Sequence, residues 1–297
     1  MKQTHYELLW RLYVAPKGRL GNAVQAALLK SSEQVRLRRK LRGADTIILT
    51  HSQGKVGSSS MYDALMADNP VPNSVVMHSH VIRSADDPRV RAVRRKITPR
   101  RTAYTTQILY PLIRDRVTGS LNFIVISAVR DPIDRAISDF FQNLERYTPD
   151  RQYPRPGEHT VEDYLGWFHS TYEVTRGSLW FEEQFNELFG LDFYGTPFDQ
   201  SSGYLVVESS RVKAGIIRFD RISDSWAEFS ERLLGRSVEL LRSNEAKTKA
   251  YGHVYADFKA RLRLDRNLLA EIYSAPHVRY FYTEMERNAA IERWAEE

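Results

Sequence analysis

Lys55 lies in Ser52-Gln53-Gly54-Lys55-Val56-Gly57-Ser58-Ser59-Ser60, where only Val56 is neither small, polar nor cationic. The stretch follows a nearly continuous apolar run, Thr46–His51, and leads into a helical pattern over 59–67. Strand, small-residue loop and helix in that order make an anion site. Backbone N–H groups turn inward, and the helix N-terminus adds about half a positive charge. The glycines allow close approach, Ser58, Ser59 and Ser60 add hydroxyl donors, and Lys55 supplies a movable charge. A second group, Arg130-Asp131-Pro132-Ile133-Asp134-Arg135-Ala136-Ile137-Ser138, closes another apolar run at 123–129. Pro132 suits a first helical turn and Asp131 its cap. Arg130 therefore stands where a buried strand empties into a helix. Its forked guanidinium and the Ser138 hydroxyl, about two turns along, can share one phosphate. A third group is His78-Ser79-His80, after the run 74–77. Histidine titrates near neutral pH and suits removal of a proton from an attacking hydroxyl.

Each group also has a plainer reading. The loop can be a chance Gly/Ser turn, Arg130 can pair on the surface with Asp134, and two polar histidines can simply end a strand. A His-x-His pair can chelate zinc, but no further ligands follow at suitable spacing. The loop also departs from the magnesium-nucleotide pattern G-x-x-x-x-G-K-[ST]. Leu49 stands where its first glycine belongs, and Val56 stands where a hydroxyl would hold the metal.

The elements that must position these groups alternate. Short buried runs at 46–51, 74–77, 123–129 and 215–219 are separated by helical patterns at 59–67, 107–116, 133–147, 161–175 and 178–188. That alternation predicts an α/β domain with a parallel sheet and helices on both faces. Residues 205–208 and 213–219 are an alternative hairpin pair across Ser209-Ser210-Arg211. The segment 148–160, with three prolines and a glycine, reads as an exposed loop of the kind that binds ligands or covers sites. Residues 1–42 predict an amphipathic, basic N-terminal extension, and 43–297 a single α/β domain.

Composition limits the chemistry further. The chain has 297 residues, 42% hydrophobic and 27% charged, with 43 cationic against 37 anionic side chains, a net charge of +6. That balance excludes a disordered chain. Zero cysteines exclude a disulfide scaffold, a thiolate metal site and a cysteine nucleophile. A pI near 9.4 favours anionic partners. The basic clusters 36–42 and 89–101 read either as polyanion or lipid-headgroup contacts or as solvated faces. No apolar run is long enough to span a membrane, and the N-terminus lacks a signal-peptide pattern. The expectation is a cytoplasmic protein, with peripheral membrane contact through 1–42 left open. Trp167, Phe168, Trp180 and Phe181 read as core at helical spacing, with a sugar-stacking wall as the alternative.

The two phosphate motifs together resemble the nucleotide signature of sulfotransferases that use 3′-phosphoadenosine 5′-phosphosulfate. Lys55-Val56-Gly57-Ser58-Ser59 is similar to that family's Lys-x-Gly-Ser/Thr-Ser/Thr loop. The segment from Arg130 to Ser138 is similar to its Arg-Asp-Pro-x-x-Arg-x-x-Ser motif, in the form the carbohydrate sulfotransferases carry. His78-Ser79-His80-Val81 resembles the His-x-His-Val segment of uronyl 2-O-sulfotransferases, where the second histidine is the base. The resemblance covers about residues 46–140, and the stretch from Phe189 resembles a bacterial sulfotransferase-like group linked to capsular polysaccharide synthesis. It implies a P-loop-like parallel sheet of four to five strands flanked by helices. It also implies a sulfuryl donor held by Lys55, Val56, Gly57, Ser58, Ser59, Ser60, Arg130 and Ser138, with Lys247 on a later loop. His80 would be the base, supported by His78. The expected acceptor is a hydroxylated glycan or glycolipid, with no metal and no nucleic acid. Two other readings stand beside it: a P-loop kinase-like phosphotransferase, and a non-catalytic nucleotide or polyanion binder.

Overall fold

The computed structural model describes residues 39–84, 86–87, 109–114, 121–155, 157–175, 179–240 and 251–296. The chain divides into two compact units, Met1–Ala44 with Ile82–Gly119, and Asp45–Val81 with Ser120–Glu297. Most of the N-terminal extension, the basic cluster 89–101 and Lys247 lie outside the described residues. In the first unit, Tyr110–Arg114 forms a short helix, α2.

The second unit is built on a five-stranded sheet in the order β2-β1-β3-β5-β4. Its strands are β1 (Thr46–His51), β2 (Ser74–Ser79), β3 (Asn122–Val129), β4 (Tyr204–Glu208) and β5 (Val212–Arg218). β2, β1, β3 and β5 run parallel, and β4 joins β5 as an antiparallel edge. The hairpin across Ser209-Ser210-Arg211 therefore forms, closed by the Ser209 N–H on the Val212 carbonyl at 2.8 Å.

Every residue of β1 is buried, and Ile47, Ile48 and Leu49 have no exposure. A strand covered on both faces must read as a continuous apolar run. Burying each of those aliphatic side chains contributes about 1.5–3 kcal/mol. Helix α1 (Ser58–Ala67) covers one face through Met61, Ala64 and Leu65. Helix α6 (Ile222–Leu234) packs beside it, with Trp226, Phe229 and Leu233 in the same core. Gly215 makes that packing possible, since a Cβ there would fall 2.6 Å from the Phe229 ring.

Helix α3 (Pro132–Gln142) follows β3. Asp131 caps it, accepting from the Ile133 N–H at 3.0 Å and the Asp134 N–H at 2.9 Å, and Pro132 occupies the first turn. Helix α4 (Val161–Thr171) begins with a reciprocal cap between Thr160 and Asp163. The helical pattern at 178–188 becomes a π-turn, Glu182–Asn186, running into the short α5 (Glu187–Phe189). The C-terminal stretch forms α7 (Gly252–Arg261), α8 (Arg266–Ser274), α9 (Pro276–Phe281) and α10 (Glu284–Trp294). Buried Arg218, at the end of β5, joins α9 and α10 to the sheet. It donates to Asp220, to Glu286 and to the Phe281 carbonyl, and lies over the Tyr282 ring. No described helix is long and apolar enough to cross a membrane.

Candidate functional site

The chain leaves β1 for β2 on one side and later returns to β3 on the other, so the strand order reverses between β1 and β3. Outside the carboxyl ends of strands at such a point, open α/β sheets form a crevice for ligands. Residues 52–57 leave β1 there, and Arg130 follows β3 there.

The two phosphate motifs meet directly. The Arg130 guanidinium donates to the Lys55 carbonyl at 3.1 Å, across 75 residues of sequence. The planar guanidinium has five N–H donors in all, and the Tyr255 phenol is a second hydrogen-bonding neighbour of it. Its Cζ lies 4.7 Å from the centre of the Phe219 ring. Asp134 does not pair with Arg130; it pairs with Lys259 on α7 at 2.6 Å, close in distance but not aligned as a hydrogen bond. Tyr255, also on α7, lies near enough for the Arg130 charge to oppose the upward push of burial on its phenol.

The loop turns tightly. Lys55 has φ 73° and Gly57 φ 81°, both in the left-handed region. A lysine there costs about 1–2 kcal/mol, a strain that clusters at binding and active sites. Gly57 is the N-cap of α1, has no side-chain cap, and no acidic residue stands in the first turn. The first turn therefore carries no carboxylate to offset the positive end of the helix. Phe219 presses on Gly57, where a Cβ would fall 2.9 Å from the ring. One aromatic ring thus touches both the loop and the arginine. Val56 is fully buried in the core, Ser58 is buried and Ser59 is exposed. The Lys55 ammonium donates to the side-chain carbonyl of Gln142 on α3. Ser138 is one turn before Gln142, and residues four apart share a helix face. The lysine is therefore tethered to the face that carries Ser138.

The histidines complete the arrangement. His80 Nδ1 lies 2.8 Å from the Ser52 carbonyl, an atom that only accepts, so Nδ1 carries the proton. In the neutral ring Nε2 is then the basic nitrogen. His78 packs edge-on against His80 at 4.7 Å between centroids and stacks on Tyr62 of α1. Its Nε2 lies 3.2 Å from Ser58 Oγ. The histidine pair and the phosphate loop are thus joined at two points, His80 to Ser52 and His78 to Ser58. Among the described residues, no group of three or more His, Asp or Glu side chains is placed to hold a metal.

Several contributors escape a sequence reading. His51, the last residue of β1, has no exposure and lies among Trp180, Phe185 and Phe189. Neither ring nitrogen closes a well-formed hydrogen bond, although the Ser79 backbone and Gln184 lie close. Burial drives its pKa down to about 3, so it is neutral at physiological pH. Trp180 and Phe168 are buried, as core spacing predicts, but the Trp180 indole N–H also donates to the His80 carbonyl at 2.7 Å. Asp131 is more than a cap, for Tyr273 on α8 donates to its second oxygen at 2.6 Å.

Residues 168–283 match the family NKWYS, described as "putative capsular polysaccharide synthesis protein". That links this part of the chain with capsular polysaccharide synthesis. The matched segment contains Trp180, β4, β5, Phe219 and Tyr255 but not Lys55, His80, Arg130 or Ser138. No curated protein and no solved structure matches the chain.

Proposed function

We propose that this protein is a sulfotransferase that moves a sulfuryl group from 3′-phosphoadenosine 5′-phosphosulfate to a hydroxyl of a carbohydrate or glycoconjugate. The observation that carries the reading is the hydrogen bond from Arg130 to the Lys55 carbonyl, which makes one anion site of two motifs. The donor set fits a phosphorylated nucleotide: an uncapped helix N-terminus, a loop lysine, serine hydroxyls and a forked guanidinium. In this reading the α1 N-terminus, Ser58, Ser59 and Ser60 hold the 5′-phosphate, and Arg130 and Ser138 hold the 3′-phosphate. Lys247, outside the described residues, is assigned to the same nucleotide.

The bound donor supplies sulfur attached to a good leaving group, the 5′-phosphate. His80 Nε2 accepts the proton of the acceptor hydroxyl while the Ser52 carbonyl holds Nδ1–H. The acceptor oxygen bonds to sulfur, and the electron pair of the broken S–O bond leaves with the phosphate. Lys55 neutralises the charge that builds there, and His78 braces the base against Ser58 and Tyr62. As with phosphoryl transfer, the protein contributes positioning and electrostatics. The kinase reading is disfavoured by buried Val56, which occupies the position of a magnesium-binding hydroxyl. The link with capsular polysaccharide synthesis favours a glycan acceptor.

The test is transfer of radiolabelled sulfuryl from the donor to a panel of unsulfated polysaccharides, with the wild type and His80→Ala. Turnover lost in the variant, with nucleotide affinity retained, supports the reading. Undiminished transfer by His80→Ala overturns the base assignment, and binding without any transfer favours a non-catalytic binder.

A further inference from the structure

We propose that Trp180 is a positioning residue for His80. This inference rests on the reading of His80 as the base. The imidazole is held at Nδ1 by the Ser52 carbonyl, and the His80 backbone is held by the Trp180 indole at 2.7 Å. Both anchors originate in one packed pair. Trp180 lies 5.0 Å from His51 between ring centroids, and Ser52 is the residue after His51. Behind the pair, Phe185 and Phe189 close on the His51 ring at 6.2 and 5.9 Å. Trp180 is 7% exposed and His51 is wholly buried, so neither can drift independently. A buried indole N–H ordinarily finds a partner; here the partner is the main chain of the residue whose ring must aim Nε2. The β1–β2 ladder brings Ser52 beside His80, with the Ser52 N–H on the Ser79 carbonyl at 3.3 Å. Trp180 fixes the His80 main chain against that ladder, so that Nδ1–H stays on the Ser52 carbonyl. Trp180 lies in the segment that matches the capsular family, whereas His80 does not. The indole bond therefore connects the matched region to the proton-transfer chemistry.

Two variants remove the N–H while keeping an aromatic ring on His51: Trp180→Phe, and replacement of Trp180 by benzothienylalanine, which has the indole shape with sulfur for nitrogen. The first readout is nitrogen NMR of the His80 ring. We expect the Nδ1–H form of the wild type to give way to the tautomer mixture of a loosely held imidazole. The second is turnover, expected to fall about 100-fold for a displacement near 1 Å, with nucleotide affinity within about twofold. If the isostere variant folds and keeps the wild-type tautomer, the proposal is overturned. A tautomer change without loss of turnover supports the positioning and overturns the base assignment instead.

Discussion

Replacing Gly57 by alanine probes the contact that joins the loop, the arginine and the sheet. Gly57 has φ 81°, and an alanine Cβ would fall 2.9 Å from Phe219 Cε2 and 3.1 Å from Cδ2. The left-handed backbone costs an alanine about 1–2 kcal/mol. Pushing the ring aside adds about 1–3 kcal/mol of overpacking. Urea unfolding of Gly57→Ala should therefore show a loss of about 2–5 kcal/mol. Function should suffer too, because the ring that moves is the one under the Arg130 guanidinium, 4.7 Å away. A loss of about 1.4 kcal/mol there would weaken binding of a 3′-phosphorylated nucleotide tenfold. The double variant Gly57→Ala/Phe219→Leu separates the parts. A smaller, flexible side chain relieves the overpacking and leaves the backbone cost, so the two losses should not add. If Gly57→Ala is as stable as the wild type and binds nucleotide equally well, the wedge formed by Phe219 does not exist.

Three further predictions follow from the same structure. Lys55→Gly and Lys55→Ala should both abolish turnover, but the glycine variant should be the more stable by about 1 kcal/mol in urea melts, because it relieves the left-handed strain at φ 73°. Stability should fall as pH drops below about 6.5. His51 and His277 are held neutral by burial, with pKa values near 3 and 4, so the unfolded chain takes up protons that the folded one refuses. Each contributes a slope of up to about 1.4 kcal/mol per pH unit within its window, and His51→Phe should flatten the profile measured by urea unfolding at pH 4.5 and 7. Arg218→Ala should cost about 3 kcal/mol in the same assay. It strands the Phe281 carbonyl and the Glu286 carboxylate that hold α9 and α10 to the sheet.

Much of the fold was legible because the inner parallel strands β1, β3 and β5 are mostly buried and leave short apolar runs. Thr46–His51 and the run ending at Val129 announce two such strands, and Asp131-Pro132 announces the helix after β3. The edge hairpin was visible because its three connecting residues are polar and its strands lie next to each other in sequence. Helix limits were less legible. The pattern from 133 continues past Gln142, where Asn143 ends the helix before a 3-10 turn at Leu144–Arg146. Local periodicity likewise gave no sign of the π-turn at Glu182–Asn186.

The candidate site was legible as separate motifs, since Lys55, Arg130 and His80 each belong to a short local pattern. Their partners were not. Gln142 reaches the site across 87 residues and Trp180 across 100, Phe219 and Tyr255 come from later still in the chain, and only topology brings them there. Arg130 illustrates the difficulty. Sequence proximity suggested Asp134, whereas the fold gives Asp134 to Lys259 and gives Arg130 the Lys55 carbonyl and the face of Phe219. His51 was hidden for another reason. It ends a strand whose other side chains are mostly aliphatic, and nothing local signals a neutral buried imidazole beneath Trp180.

Calorimetric titration with 3′-phosphoadenosine 5′-phosphate, beside ADP and magnesium ATP, tests the central claim most directly. The account predicts micromolar binding of the 3′-phosphorylated nucleotide, weaker binding of the other two, and a loss of that preference in Arg130→Ala. Equal binding of all three nucleotides, or a preference that survives Arg130→Ala, would contradict it.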